Sequence, residues 1–138
     1  MRIKPSSRPT KRSKRRGVAA VEFVVCLPVL ALLVFGAIEA SSFIFLKQSL
    51  NVAAYEGIRE AIRIGSSNAD GSDRAQNILT AHTVNDFNIS FPNGESADVI
   101  RGNEIVIEVS APTATNSPLA GQWLTNRTLT ARIVMVKE

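Results

Sequence analysis

Apolar residues run without interruption from Phe23 to Ile38, a stretch with no charged or hydrogen-bonding side chain. As a helix it spans roughly 24 Å at about 1.5 Å per residue, short of the ~30 Å hydrocarbon core of a bilayer. Continuing through Phe43, Ile44, Phe45 and Leu46 supplies ample length but places Glu39 inside the span. Either way the pattern predicts one transmembrane helix, taken over residues 18–46. Pro28 within it removes one backbone donor, which membrane helices tolerate.

Beyond Leu46 the period changes. Apolar or small residues recur at 46, 50, 53, 54, 57, 58, 61 and 62, the spacing of an amphipathic helix. Lys47, Gln48, Asn51, Glu56, Arg59, Glu60 and Arg63 occupy the other face, with Glu56/Arg59 and Glu60/Arg63 spaced to pair. The membrane helix is expected to continue into this segment and to stop at Gly65, before the turn-rich residues 66–71. Ala53, Ala54, Gly57 and Ala61 permit close packing, as a core face or, alternatively, as a subunit interface. A second helix is expected over residues 73–84, with Asp73 and Gln76 as a capping pair and His82 among apolar neighbours as a packing residue.

The remainder alternates. Phe87, Ile89 and Phe91 predict a strand. Residues 99–101 and 104–110, joined by Gly102 and Asn103, predict a hairpin, and Leu129, Ala131, Ile133 and Met135 predict a last strand. Residues 112–118 are expected to form a loop, and residues 119–124 a turn or short helix that tucks Trp123 into the core. The fold class is α+β: a long N-terminal transmembrane helix continues into an outer amphipathic helix, packed by a small antiparallel sheet.

Charge sharpens the picture. The net charge of +4 conceals eight basic residues between Arg2 and Arg16 with no acid among them, whereas the chain after Gly17 holds eight basic and twelve acidic residues. The basic segment lacks interleaved aromatics and precedes a membrane helix, so topology explains it better than nucleic-acid binding. The positive-inside rule places it in the cytoplasm and residues 47–138 on the outer side. A secretory signal peptide shares the basic start and apolar run, and an uncleaved signal anchor is a further alternative. The run exceeds the 7–15 residues of a signal peptide core, and only Ala40, Ser41 and Ser42 resemble a cleavage site.

Little chemistry points to catalysis. Cys26 is the one cysteine and His82 the one histidine; neither a metal cluster, a phosphate loop nor a nucleophile motif is legible. No cofactor and no small-molecule substrate is expected. Glu22 and Glu39 carry the sharper question, because a carboxylate in lipid costs at least ~2.5 kcal/mol on insertion scales. Their 17-residue separation, about 25 Å of helix, suits one at each membrane edge.

Arg15, Arg16, Gly17, Val18, Glu22 and Phe23, in that order before an apolar run, resemble the processing site of a type IV prepilin. Leu27-Pro28, Phe35-Gly36, Glu39 and Asn51 to Arg59, with its Glu56-Gly57 pair, extend the likeness to the TadE-like family (TadE/TadF), minor pseudopilins of tight-adherence (Flp pilus) systems. The resemblance covers residues 15–64. It implies a leader, residues 1–17, removed by a prepilin peptidase between Gly17 and Val18, with Arg15, Arg16 and Phe23 serving recognition or topology. It further implies that Glu22, fifth residue of the cleaved chain, pairs with the free α-amino group of a neighbouring subunit. Other pilins or pseudopilins and inner-membrane assembly proteins are the implied partners. The implied location is the bacterial inner membrane, with the outer domain periplasmic, and the implied role is assembly rather than enzymatic. Phe23 stands where major Flp pilins carry tyrosine, and the outer domain exceeds their short tails. The competing reading is a signal-anchored or secreted binding domain.

Overall fold

The structure, a computed structural model, describes residues 14–118 and 127–137. The expectation for Trp123 and most of the basic leader lie outside the described residues. The chain divides into two units, the first ending at Gly36 and the second beginning at Ala37. Helix α1, Lys14–Ala61, contributes to both and runs through Pro28. Helix α2, Asn68–Ala81, and strands β1 (Asn88–Ser90), β2 (Glu104–Pro112) and β3 (Thr128–Val136) complete the second unit. The α+β class predicted from the chain is the class observed.

In the first unit the apolar side chains point outward on every side, among them Val21, Val24, Leu27, Leu30 and Leu33. A helix that is apolar all round needs a non-aqueous surrounding. The second unit is built differently. Leu46, Leu50, Ala53, Ala54, Gly57, Ile58, Ala61 and Ile62 are all buried, the face that the period predicts. All but Gly57 and Ala61 form one cluster with Ala75 and Leu79 of α2, Val84, and Ile105, Ile107, Val109 and Ala111 of β2. The small-residue face is therefore core.

The helices approach most closely at two glycines. A Cβ at Gly71 would lie 2.7 Å from the Gly57 carbonyl oxygen and 2.9 Å from the Ala61 Cβ; one at Gly57 would lie 2.9 Å from the Gly71 carbonyl oxygen. That approach explains why α2 begins earlier than expected and takes a glycine within it. Residues 68–71 read locally as a turn, but the packing they gain outweighs the ~0.5–1 kcal/mol that glycine costs a helix. The cap is accordingly Ser67 with Asp70, not Asp73 with Gln76, which lie inside the helix. Ser67 adopts extended backbone and accepts from the Asp70 N–H, while the Asp70 carboxylate accepts from the Ser67 N–H at 2.8 Å. The first turn is pinned from outside as well: the Glu95 carboxylate accepts the Asn68 N–H at 2.7 Å, placing negative charge at the helix N-terminus. Helix α2 closes at Ala81, ahead of the expected 84, because the Val84 N–H returns to the Leu79 carbonyl at 2.9 Å. Thr83 takes the left-handed position in that turn, φ +56, where glycine is usual. Helix α1 ends at Ala61, and turns from there to Gly65, φ +84, replace the last helical turn expected.

The sheet order is β1-β2-β3, antiparallel throughout, with Ile89 opposite Val109, Ile107 opposite Ile133 and Glu108 opposite Arg132. The expected hairpin between 99–101 and 104–110 is absent. β2 pairs with β3 along its whole length and with β1 at Glu108 to Ser110, and Ile100 is 74% exposed. Residues 96–98 instead form a 3₁₀ turn. The Ser96 N–H donates to Asn68 Oδ1 at 2.9 Å, and the Lys137 ammonium donates to the Ser96 and Ala97 carbonyls. Gly102 and Asn103 bond the backbone of Lys137 at 3.0 and 2.9 Å, so this turn closes the end of β3.

On an open helix Gly→Ala raises stability; here Gly71→Ala is expected to lower it by about 1–3 kcal/mol, since the new methyl meets backbone. Thermal unfolding of the full chain in detergent, followed by circular dichroism, reads the sign. The hydrogen bonds from the Ser67 backbone and then its hydroxyl hold the Asp70 carboxyl below its ordinary value of 3.8. A group held low in the folded state contributes stability that is complete above 3.8 and is lost as pH falls through the lower folded value. Asp70→Asn should thus flatten the acid limb of a melting-temperature-against-pH curve and leave its slope near neutrality unchanged.

Candidate membrane anchor and its two carboxylates

Residues 15–18 are helical, with Gly17 and Val18 exposed, and a Cβ at Gly17 would meet nothing within 4 Å. Glu22 and Phe23 follow on the same exposed helix, as does the free thiol of Cys26. Within its unit this segment offers an open surface: a glycine that loosens the helix locally, one carboxylate five residues on, then unbroken apolar side chains. From Gly17 onward, α1 is long and apolar enough to cross a membrane.

The second carboxylate behaves otherwise. Glu39 is only 7% exposed, on the side of α1 that faces the core of the second unit. Its Oε1 accepts a hydrogen bond from the Ser117 hydroxyl, 78 positions away in sequence, and its Oε2 has no hydrogen-bond partner among the described residues. Ser117 belongs to the loop after β2, which Asn116 fastens in place. The Asn116 side chain accepts from the Asn85 N–H at 2.7 Å and donates to the Asn85 and Pro112 carbonyls at 2.9 and 2.8 Å. This lock sets the loop over the start of the second unit's helix.

Beside it opens a cleft of ≈ 730 Å³ with Ile38, Ser41, Phe45, Val84, Thr115 and Pro118 on its walls. His82 lies at its edge, half-buried; its Nδ1 is 2.9 Å from the Ser49 hydroxyl and its ring 5.8 Å from that of Phe45. Those neighbours suit a packing histidine. Among the described residues, no group of three or more His, Cys, Asp or Glu side chains is placed to hold a metal ion. The Glu39–Ser117 contact and the Asn85–Asn116 lock escaped sequence reasoning, because partners so distant along the chain leave no periodic signal. At the far end of the helix the expected pairs do form, Arg59 reaching Glu56 at 3.9 Å and Arg63 reaching Glu60 at 3.0 Å; Arg74 of α2, not expected there, also reaches Glu56 at 3.4 Å.

The segment carrying Gly17, Glu22 and Glu39, together with most of the core face of α1, has a recognisable counterpart. Residues 17–59 match the family of TadE-like proteins. No curated protein and no solved structure matches the chain. The TadE-like segment ends within α1, before α2 and all three strands, so the likeness concerns the anchor and the helix that organises the core. It suggests a role in tight-adherence pilus systems, and its long apolar N-terminal helix is consistent with a membrane anchor.

Removing the Ser117 hydroxyl leaves both Glu39 oxygens buried without a donor, a loss of about 1–3 kcal/mol. Ser117→Ala should therefore lower the melting temperature of the full chain in detergent. It should also speed amide hydrogen exchange in residues 113–118 more than in β2.

Proposed function

We propose that this chain is a minor pseudopilin supporting assembly of a tight-adherence type IVb (Flp) pilus or its secretion apparatus. The TadE-like match carries this reading, because it falls on the segment where glycine, glutamate and an all-round apolar helix follow one another. The basic residues 1–16 keep the N-terminus in the cytoplasm, α1 spans the inner membrane, and the body lies in the periplasm. A prepilin peptidase cuts between Gly17 and Val18. Glycine at that position helps, since it weakens the helix where a protease must gain access to extended backbone.

Cleavage does two physical things. It removes the topogenic charge, leaving a chain with eight basic and twelve acidic residues. It also creates an α-ammonium group at Val18, four positions before Glu22. In a low-dielectric surrounding an unpaired carboxylate is costly and an opposite charge is strongly attracted to it. Glu22 of one subunit and the new N-terminus of its neighbour are thereby drawn together, which favours side-by-side helix association during assembly. Arg15, Arg16 and Phe23 flank the cut as recognition or topology elements. The chain is a substrate of an enzyme rather than an enzyme, and its other partners are pilins, pseudopilins and inner-membrane assembly proteins.

The intact mass and N-terminal sequence of the membrane-fraction protein, with and without the peptidase, test this reading. A peptidase-dependent start at Val18 is expected. Gly17→Trp should abolish that product, and Glu22→Ala should leave the helix inserted while reducing pilus yield. A start near Phe43 would establish a secreted domain, and normal piliation with both variants would sink the proposal.

A further inference from the structure

Sixteen apolar residues are too few for a bilayer, and the structure shows how the span is lengthened. About 20 residues are needed for ~30 Å, which carries the hydrocarbon boundary from Phe23 to near Ser42. Three polar groups, Glu39, Ser41 and Ser42, stand in the way; Glu39 and Ser42 are turned from the surroundings, while Ser41 exposes one neutral hydroxyl. The Glu39 carboxylate is buried in the body against Ser117, and the Ser42 hydroxyl donates back to the Ile38 carbonyl at 3.0 Å. Apart from the Ser41 hydroxyl, the large side chains that α1 leaves outside over this stretch are apolar: Ile38, Ile44 and Phe45 are 43%, 60% and 53% exposed. Lys47 is the first cation after Arg16.

The Glu39–Ser117 bond then fixes the depth of the loop. Ser117 lies level with residue 39, about 4–5 Å on the hydrocarbon side of Ser42 along the helix. Thr115 and Pro118 of the same loop are exposed, and the cleft they share with Ile38, Phe45 and Val84 has no Lys, Arg, Asp or Glu among the described residues that line it. A surface with apolar walls, hydroxyl and amide groups and no fixed charge matches the boundary between acyl chains and headgroups.

We propose that this end of the body, residues 37–46 with 82–85 and 113–118, is a lipid-facing surface seated in the headgroup layer of the bilayer. The proposal rests on the membrane-anchor reading given above. Glu39 is the group whose burial permits this seating.

The test uses the full chain with Cys26→Ser, reconstituted in vesicles of phosphatidylethanolamine and phosphatidylglycerol. Single cysteines replace Val34, Phe45, Thr115 or Ile64, all exposed, and each carries a fluorophore. Lipids bearing a nitroxide near the top of the acyl chain and lipids bearing one near its end act together as quenchers, so that the bilayer is covered at every depth. Loss of fluorescence at Phe45→Cys and Thr115→Cys comparable to that at Val34→Cys, with none at Ile64→Cys, is the expected result. Quenching at Val34→Cys without quenching at both Phe45→Cys and Thr115→Cys overturns the proposal and leaves the anchor standing; that surface then meets water or a protein partner. An unquenched Val34→Cys removes the anchor reading and this proposal with it.

Discussion

The contact between the inner face of α1, the sheet and α2 organises the second unit. Leu46, Leu50, Ala53, Ala54 and Ile58 have no burial of their own on a lone helix; β2 supplies Ile105, Ile107, Val109 and Ala111, and α2 supplies Ala75 and Leu79. Small side chains decide how near the pieces come. With hydrogen alone at Gly57 and Gly71, each backbone oxygen sits where the other's Cβ would be. Close approach of this kind increases dispersion contact across the whole interface, and a misplaced methyl would be felt throughout it.

Around that apolar centre, polar groups settle where irregular segments lie. Asn68 accepts from Ser96 with its side-chain oxygen and donates to the Gly94 carbonyl, while its own N–H goes to Glu95. Asn116 does the equivalent between residues 85 and 112, and Lys137 fastens the carbonyls of Ser96 and Ala97. Each bond contributes only ~1 kcal/mol net, but leaving these backbone groups unmatched would cost more. The segments after α2 and β1, and residues 113–118 after β2, are thereby fastened in place. Thr83, in a left-handed conformation unusual for a β-branched residue, is held inside one of them.

Helix α1 meets two requirements in succession. Through residue 36 its side chains demand a surrounding that is not water, and from Leu46 its inner face demands a protein core. Glu39 lies between. As an isolated side chain it would oppose insertion by several kcal/mol; buried against the body, with Ser117 as donor, it no longer faces outward. The TadE-like likeness spans both stretches and stops within the helix, while the sheet and α2 carry no recognised counterpart.

The sequence by itself determined the helix, its apolar stretch and inner face, the two i,i+3 ion pairs, the last strand and the α+β class. Each is local or periodic: a run without polar atoms, a 3.6-residue or two-residue repeat, a charge three positions from its opposite. The resemblance at Gly17, Glu22, Leu27-Pro28 and Glu56-Gly57 was legible for the same reason, being carried by spacing. Only the tertiary structure decided that residues 68–71 are helix, because the gain lies in Gly71 meeting Gly57. Likewise, β2 pairs with β3 along its length and with β1 at Glu108 to Ser110 rather than with residues 99–101, whose flanking residues are fastened instead to Asn68 and Lys137. The burial of Glu39 beneath Ser117 belongs to the same class: it is a contact between distant residues, made possible by where the loop after β2 is held, and nothing local announces it.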